Sequence, residues 1–151
     1  MVTRREILIG AAGAAALVSV SGRASASVDH QVSMLNKGAK GAMVFEPDLI
    51  VASPGDTVTF VPTDKTHNAE SIAGMLPEGA ESFKGKINEK ITITVEAEGV
   101  YGIKCMPHYA MGMIALVVVG SPTNLEEAKA VRHPGQAKKR FEAVFAEVPS
   151  T

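Results

Sequence analysis

Gly99-Val100-Tyr101-Gly102-Ile103-Lys104-Cys105-Met106-Pro107-His108-Tyr109-Ala110-Met111-Gly112-Met113-Ile114-Ala115-Leu116-Val117-Val118-Val119 is the stretch that decides the fold. Gly99 to Ile103 reads as a strand, and Ile114 to Val119 is a continuous apolar run of the kind that forms a buried strand. Between them lies a short loop that holds the only cysteine, a histidine three residues later, and then two thioethers, Met111 and Met113. Two strands fix the ends of such a loop, so closing it around a metal costs little further chain entropy. Pro107 stiffens the turn between Cys105 and His108.

Working outward, the upstream chain repeats the strand chemistry. Gln31 to Leu35, Met43 to Phe45, Leu49 to Val51 and Thr57 to Val61 are bounded by Gly, Pro, Asp and Asn. Thr57 to Val61 and Lys90 to Val95 alternate polar with apolar, the period of a half-buried strand. Pro54-Gly55-Asp56 and Glu98-Gly99 supply turns. Many short strands with regular turn signals predict an all-β sandwich or barrel. Asn68 to Gly85, with Gly74, Pro77 and Gly79, reads as a long connection carrying a helical turn. From Ser121 the period changes. Thr123 or Asn124 is placed to cap a helix with Glu126 and Glu127 in its first turn and Lys129 and Arg132 toward its end, which suits the macrodipole. After Pro134-Gly135, the residues Ala137, Phe141, Val144, Phe145 and Val148 recur at helical spacing among charged residues. This second helix is expected to lay its apolar face on the sandwich.

The chain is 151 residues long, enough for one domain with one core. Residues 1–26 stand apart. Arg4 and Arg5 precede the uncharged stretch Ile7 to Val20, and Ala24-Ser25-Ala26 is a small-residue cleavage signature. Thr3-Arg4-Arg5-Glu6-Ile7-Leu8 also resembles the twin-arginine export signal of bacteria. The expected organisation is a removed export leader over 1–26, a β-sandwich over 27–120 and a helical extension of the same domain over 121–151. Loss of Arg4, Arg5, Arg23 and Glu6 with the leader takes the formal charge from −1 to −3. That is no field for nucleic acid, so charged partners must be read from local patches. Export also changes the meaning of Cys105. Exported domains usually pair their cysteines, and a single thiol there is buried, reactive or held by a metal.

A thiolate and an imidazole with a nearby thioether are donors that select copper. Two His and one Cys with a weak axial Met form the blue-copper electron-transfer arrangement. A second histidine is then required. His30 lies near the start of the mature chain and His133 between the two tail helices, whereas His67 follows the strand Thr57 to Val61 in the body of the sandwich. His67, Cys105 and His108 are therefore the candidate ligands. For the axial position Met111 and Met113 have the same parity, and strand alternation does not choose between them. Enzymatic oxygen chemistry at copper demands more histidines than then remain, and catalytic zinc seldom uses Met. A copper chaperone suits Met and His ligands, but a thiolate on a loop between two buried strands favours retention over delivery.

Met34-Leu35-Asn36-Lys37-Gly38, Gly41 to Pro47, Pro54 to Val58, His67-Asn68, Pro77-Glu78-Gly79 and Lys104 to Met113 together resemble the cupredoxins, and within them the pseudoazurin family, in order and spacing. The ligand loop alone is shared with plastocyanins. The helical tail separates the two groups, and amicyanins have a shorter gap before the Met. The resemblance implies a Greek-key sandwich of about eight strands with two C-terminal helices. It implies one copper ion, Cu(I)/Cu(II), held by His67, Cys105, His108 and Met113, which chooses Met113 over Met111. It further implies electron exit at His108, set in an apolar patch of Met43, Pro107 and Met111. Lysines at Lys37, Lys65, Lys84 and Lys104 are expected around that patch, to steer an acidic partner. Backbone N–H groups near Asn68 and in the loop are expected to bond to the Cys105 sulfur. The implied molecule is a soluble, monomeric periplasmic electron carrier without a membrane anchor. Its partner is a copper nitrite reductase, with c-type cytochromes as further donors or acceptors. A plastocyanin- or amicyanin-like carrier for another partner, or a copper carrier, is the alternative. Met106 departs from the Thr frequent at its position in that family.

Overall fold

The computed structural model describes Gly22 and residues 25–150, and nearly all of the expected leader lies outside the described residues. Eight strands run from Asp29 to Val119: β1 (Asp29–Gly38), β2 (Gly41–Glu46), β3 (Leu49–Ala52), β4 (Asp56–Val61), β5 (Glu70–Ser71), β6 (Ile91–Val95), β7 (Gly99–Lys104) and β8 (Ile114–Val119). Two helices follow, α1 (Leu125–Ala130) and α2 (Gln136–Ala146). The strands form two four-stranded sheets, ordered β2-β1-β4-β6 and β3-β8-β7-β5. Between β2 and β7 the chain changes sheet at every connection, which makes the expected Greek-key sandwich. β1 and β4 pair in parallel, as do β3 and β8; the remaining pairs are antiparallel.

The core explains why β8 is an unbroken apolar run. Ala115, Val117 and Val119 face the inter-sheet core with Val32, Met34, Phe45, Phe60, Tyr101 and Ile103. Ile114, Leu116 and Val118 point the other way and pack under Ala128, Ala137, Phe141 and Val144 of the helices. A strand with both faces covered has no solvent face to mark with polar residues. By contrast β6 is half covered and keeps its alternation.

Two expectations change. The connection Asn68 to Gly85 holds no helical turn; it forms the two-residue strand β5 and a bridge from Glu70 to Lys84. Asn124 does precede α1, but its side chain makes no capping bond. Instead it accepts from the Val100 N–H at 2.7 Å and donates to the Val100 carbonyl at 3.0 Å, docking the helix start on β7. Arg132 falls beyond the end of α1. On α2 the apolar face is as expected, with Ala137, Phe141 and Val144 buried on the sandwich.

Candidate metal centre

The loop from Cys105 to Met113 is closed by its own main chain. The Cys105 N–H donates to the Met113 carbonyl at 3.0 Å, and the Met113 N–H donates to the His108 carbonyl at 3.1 Å. Met106 to His108 form one 3₁₀ turn with Pro107 at its start, where a missing N–H is harmless. His67 arrives from the segment after β4 and is fully buried. Thr66 before it adopts a φ of 73°, its N–H donates to the Asn88 side chain, and the Asn88 N–H donates to the His67 carbonyl at 2.9 Å, so Asn88 holds the approach to His67 by both its side chain and its main chain.

These segments bring the Cys105 sulfur and one nitrogen each of His67 and His108 within 4.8 Å of one another. The Cys105 Sγ lies 3.7 Å from the His67 Nδ1 and 3.5 Å from the His108 Nδ1, and the two Nδ1 atoms are 3.1 Å apart. Met113 is fully buried in the same core cluster as Cys105, whereas Met111 is 48% exposed. Burial thus separates the two methionines that strand parity left equal.

Whether these groups suit a metal turns on their protons. The His67 Nε2 lies 2.8 Å from the Asn36 Oδ1, which can only accept. That contact places the ring proton on Nε2 and leaves Nδ1 bare and facing Cys105 and His108. Burial, helped by repulsion from His108 and opposed by Asp64, pushes the His67 pKa down, so the ring stays neutral. Burial pushes the Cys105 thiol pKa up, while backbone N–H groups of Asn68 and His108 oppose that rise. Among the contacts of the sulfur are the two imidazole nitrogens, and the His108 N–H donates to the Cys105 carbonyl at 3.2 Å. A bare imidazole nitrogen, a second imidazole and a buried thiol are crowded together here with no carboxylate in the cluster. A cation that takes nitrogen and thiolate donors resolves that crowding, and the set fits copper.

Asn36 is the neighbour that the residue-by-residue reading missed; it was visible only as part of the Met34 to Gly38 motif. Asn68 is buried and braces the site by a different route from the one expected of its N–H. Its side chain donates to Glu70 and to the Gly85 carbonyl, both at 3.1 Å, and accepts from the Met106 N–H at 2.8 Å. His133 and His30 stand away from the cluster: His133 contacts Tyr109, and His30 pairs with Asp56 at 2.9 Å.

Around the site, His108 is half-buried, Pro107 is exposed and Met106 is 53% exposed. Met43 is half-buried against the core cluster and Met111 lies on the surface. Lys37, Lys65 and Lys84 are exposed and, among the described residues, pair with no carboxylate. Lys104 differs from them. It is half-buried, lies 3.5 Å from the nearly buried Glu70 and sits 5.0 Å over the Tyr109 ring.

Residues 32–120 match the model of copper binding proteins of the plastocyanin/azurin family. The chain is 54% identical to a pseudoazurin of Paracoccus pantotrophus, over 91% of this chain and 95% of that protein. The crystal structure of pseudoazurin from Methylobacterium extorquens AM1 superposes with a TM-score of 0.78 at 48% identity, covering 80% of this chain and 99% of that one. Native pseudoazurin from Hyphomicrobium denitrificans gives 0.77 at 46% identity, over 81% and 99%. Pseudoazurins are electron carriers of the cupredoxin fold, not enzymes. A copper-type donor cluster, the two-sheet sandwich and the helical tail all agree with these likenesses, and the chain belongs to the pseudoazurin family of copper-binding electron carriers.

Proposed function

We propose that this protein carries single electrons in the periplasm and delivers them to a copper nitrite reductase, with c-type cytochromes as further donors or acceptors. The observation that carries the reading is the convergence of His67, Cys105 and His108, one of which reaches the surface amid apolar side chains. His67, Cys105, His108 and Met113 would hold the ion, and copper in such a site supplies one-electron chemistry between Cu(II) and Cu(I).

The chain's own residues make that chemistry usable. Asn36 and the packed core fix His67, and the loop's internal bonds fix Cys105, His108 and Met113 relative to each other. Donors held this firmly move little when the charge changes, so little reorganisation opposes transfer. The sandwich excludes water from the Cys105 side. His108 is the exit, because it alone of the three clustered donors is not buried. Met43, Pro107 and Met111 form the apolar contact around it, since methionine adapts to a partner's surface. Lys37, Lys65 and Lys84 steer an acidic partner toward that contact, and Lys104, already compensated by Glu70, contributes less to the field. Export across the inner membrane is supported by the paired arginines, apolar stretch and Ala24-Ser25-Ala26 of a leader over 1–26, followed by one domain over 27–151. Among the described residues no helix is long and apolar enough to cross a membrane.

Copper loading is expected to give an intense visible thiolate-to-Cu(II) band that bleaches reversibly on reduction. The reduced protein should then be reoxidised rapidly by a copper nitrite reductase supplied with nitrite. A band without electron delivery would move the reading to a carrier for another partner. No band at all would end it.

A further inference from the structure

Each of three residues between His108 and Met113 is held by the C-terminal segment. The Tyr109 hydroxyl bonds to the Nδ1 of His133, in the linker between the helices. The Ala110 carbonyl accepts from the N–H of Gln136, the first residue of α2, at 2.9 Å. The Gly112 carbonyl accepts from Nη1 of Arg140 at 3.1 Å. The same guanidinium reaches across to β2, where Nη1 donates to the Met43 carbonyl at 3.0 Å and Nη2 to the Ala42 carbonyl at 2.9 Å. One fork of donors thus ties the last turn of the ligand loop to a strand of the opposite sheet, an arrangement that a lysine cannot reproduce.

The backbone shows that the fit is close. Gly112 has a φ of 94°, and a Cβ there would lie 2.8 Å from the Arg140 Cδ. Met43, whose carbonyl is held on the other side, has a φ of 50°, in the region that favours glycine. Two neighbours of the site therefore keep unusual backbone conformations against the same side chain. Gly112 directly precedes Met113, so what holds Gly112 sets where Met113 can lie.

We propose that Arg140 is a positioning residue for the copper site, and that the C-terminal segment acts through it as a brace that fixes the distance of Met113 from His67, Cys105 and His108. The inference rests on the copper-carrier reading above and goes beyond it by giving the tail a part in tuning the site.

The test uses the copper-loaded full chain with Arg140→Met, Arg140→Lys and Tyr109→Phe. The readouts are the relative intensities of the visible thiolate-to-copper bands, the EPR spectrum of Cu(II), the reduction potential, and amide hydrogen exchange of Gly112 and Met113 in the diamagnetic Cu(I) form. Arg140→Met is expected to retain copper, change the band ratio and the potential, and quicken exchange by about tenfold, the factor for losing the one charged hydrogen bond of the three that reaches the loop, at Gly112. Arg140→Lys keeps the charge but not the fork, and should show most of the same change. If the lysine variant matches the parent, a fixed positive charge and not a brace is at work, and the proposal fails. Faster exchange with unchanged spectrum and potential also overturns it, because Arg140 then serves the fold alone. Tyr109→Phe removes only the hydroxyl contact and gives a folded variant even if Arg140→Met does not fold; it should shift the band ratio in the same sense by less, and an unshifted ratio counts against the brace. The parent protein separates the two levels. No visible band in the parent sinks the copper reading, whereas a normal parent with unresponsive variants sinks the brace alone.

Discussion

His67 has two ring nitrogens, and the structure uses each for a different purpose. Nε2 is committed to Asn36, and Nδ1 is thereby left to face the sulfur and the second imidazole. Outer partners of this kind set the tautomer and the ring angle of a ligating histidine. Asn36→Leu should weaken copper retention by about 10–100-fold, read by competition against a chelator of known affinity, and an unchanged affinity would refute this role. Asn68 predicts differently. Its side chain satisfies groups on three separate segments, so Asn68→Ala leaves buried polar atoms unpaired and should cost about 1–3 kcal/mol of stability in a denaturant titration. The candidate donors Cys105 and His108 were legible because they stand three positions apart in one short loop. His67 was legible by elimination among four histidines. Asn36 was not, because its partner lies 31 positions away and only the parallel pairing of β1 with β4 brings the two segments side by side.

Among the elements, β7, β8 and α2 could be read in advance from period and run length. Their patterns follow from how many faces each buries. Phe141 is 1% exposed on the buried face of α2, and Phe141→Ala should cost about 3–5 kcal/mol, measurable as a lowered denaturation midpoint with copper bound or absent. β5 could not be read, since two residues carry no period, and its place depends on pairing with β7. The docking of Asn124 on Val100 was likewise hidden, because a polar residue before a helix reads as a cap until the neighbouring strand is known. At the head of the sandwich, Asp56 starts β4 and gathers the start of β1. Its carboxylate accepts from the N–H of Val28, from His30 and from the N–H of Ser53, each at 2.9 Å. These bonds hold its pKa down, from an ordinary 3.8 to about 2. The folded protein thus takes up this proton less readily than the unfolded chain. Its stabilising contribution is complete above about 3.8 and is lost as pH falls toward about 2. Asp56→Asn should therefore melt below the parent at neutral pH, with the gap closing across that window. A gap independent of pH would mean that the carboxylate charge is not what ties the two strands.

For the whole molecule, the formal charge is nearly balanced, so association must depend on where charges sit rather than on their sum. Lys40 is already engaged by Asp48 at 2.8 Å and by Glu147 at 3.3 Å, and Lys104 by Glu70. Lys37, Lys65 and Lys84 are left to act at a distance. Replacing these three by Gln should slow reduction of an acidic partner by about tenfold at low salt and flatten the salt dependence, as followed by stopped-flow absorbance. Lys104→Gln should change the rate far less. Equal effects from both variants would show that pairing with Glu70 does not silence Lys104.

The hold of Arg140 on Gly112 and on β2 also has a consequence for the order in which the molecule is made. The ribosome delivers Ala42 and Met43 early, the ligand loop much later, and Arg140 later still. A nascent or prematurely terminated polypeptide can own every copper donor and still lack the grip that seats the final one. Colour would then mark a chain that has reached Arg140: products truncated ahead of it should differ in hue from longer ones, and a visible spectrum of a copper-supplemented translation mixture would distinguish them.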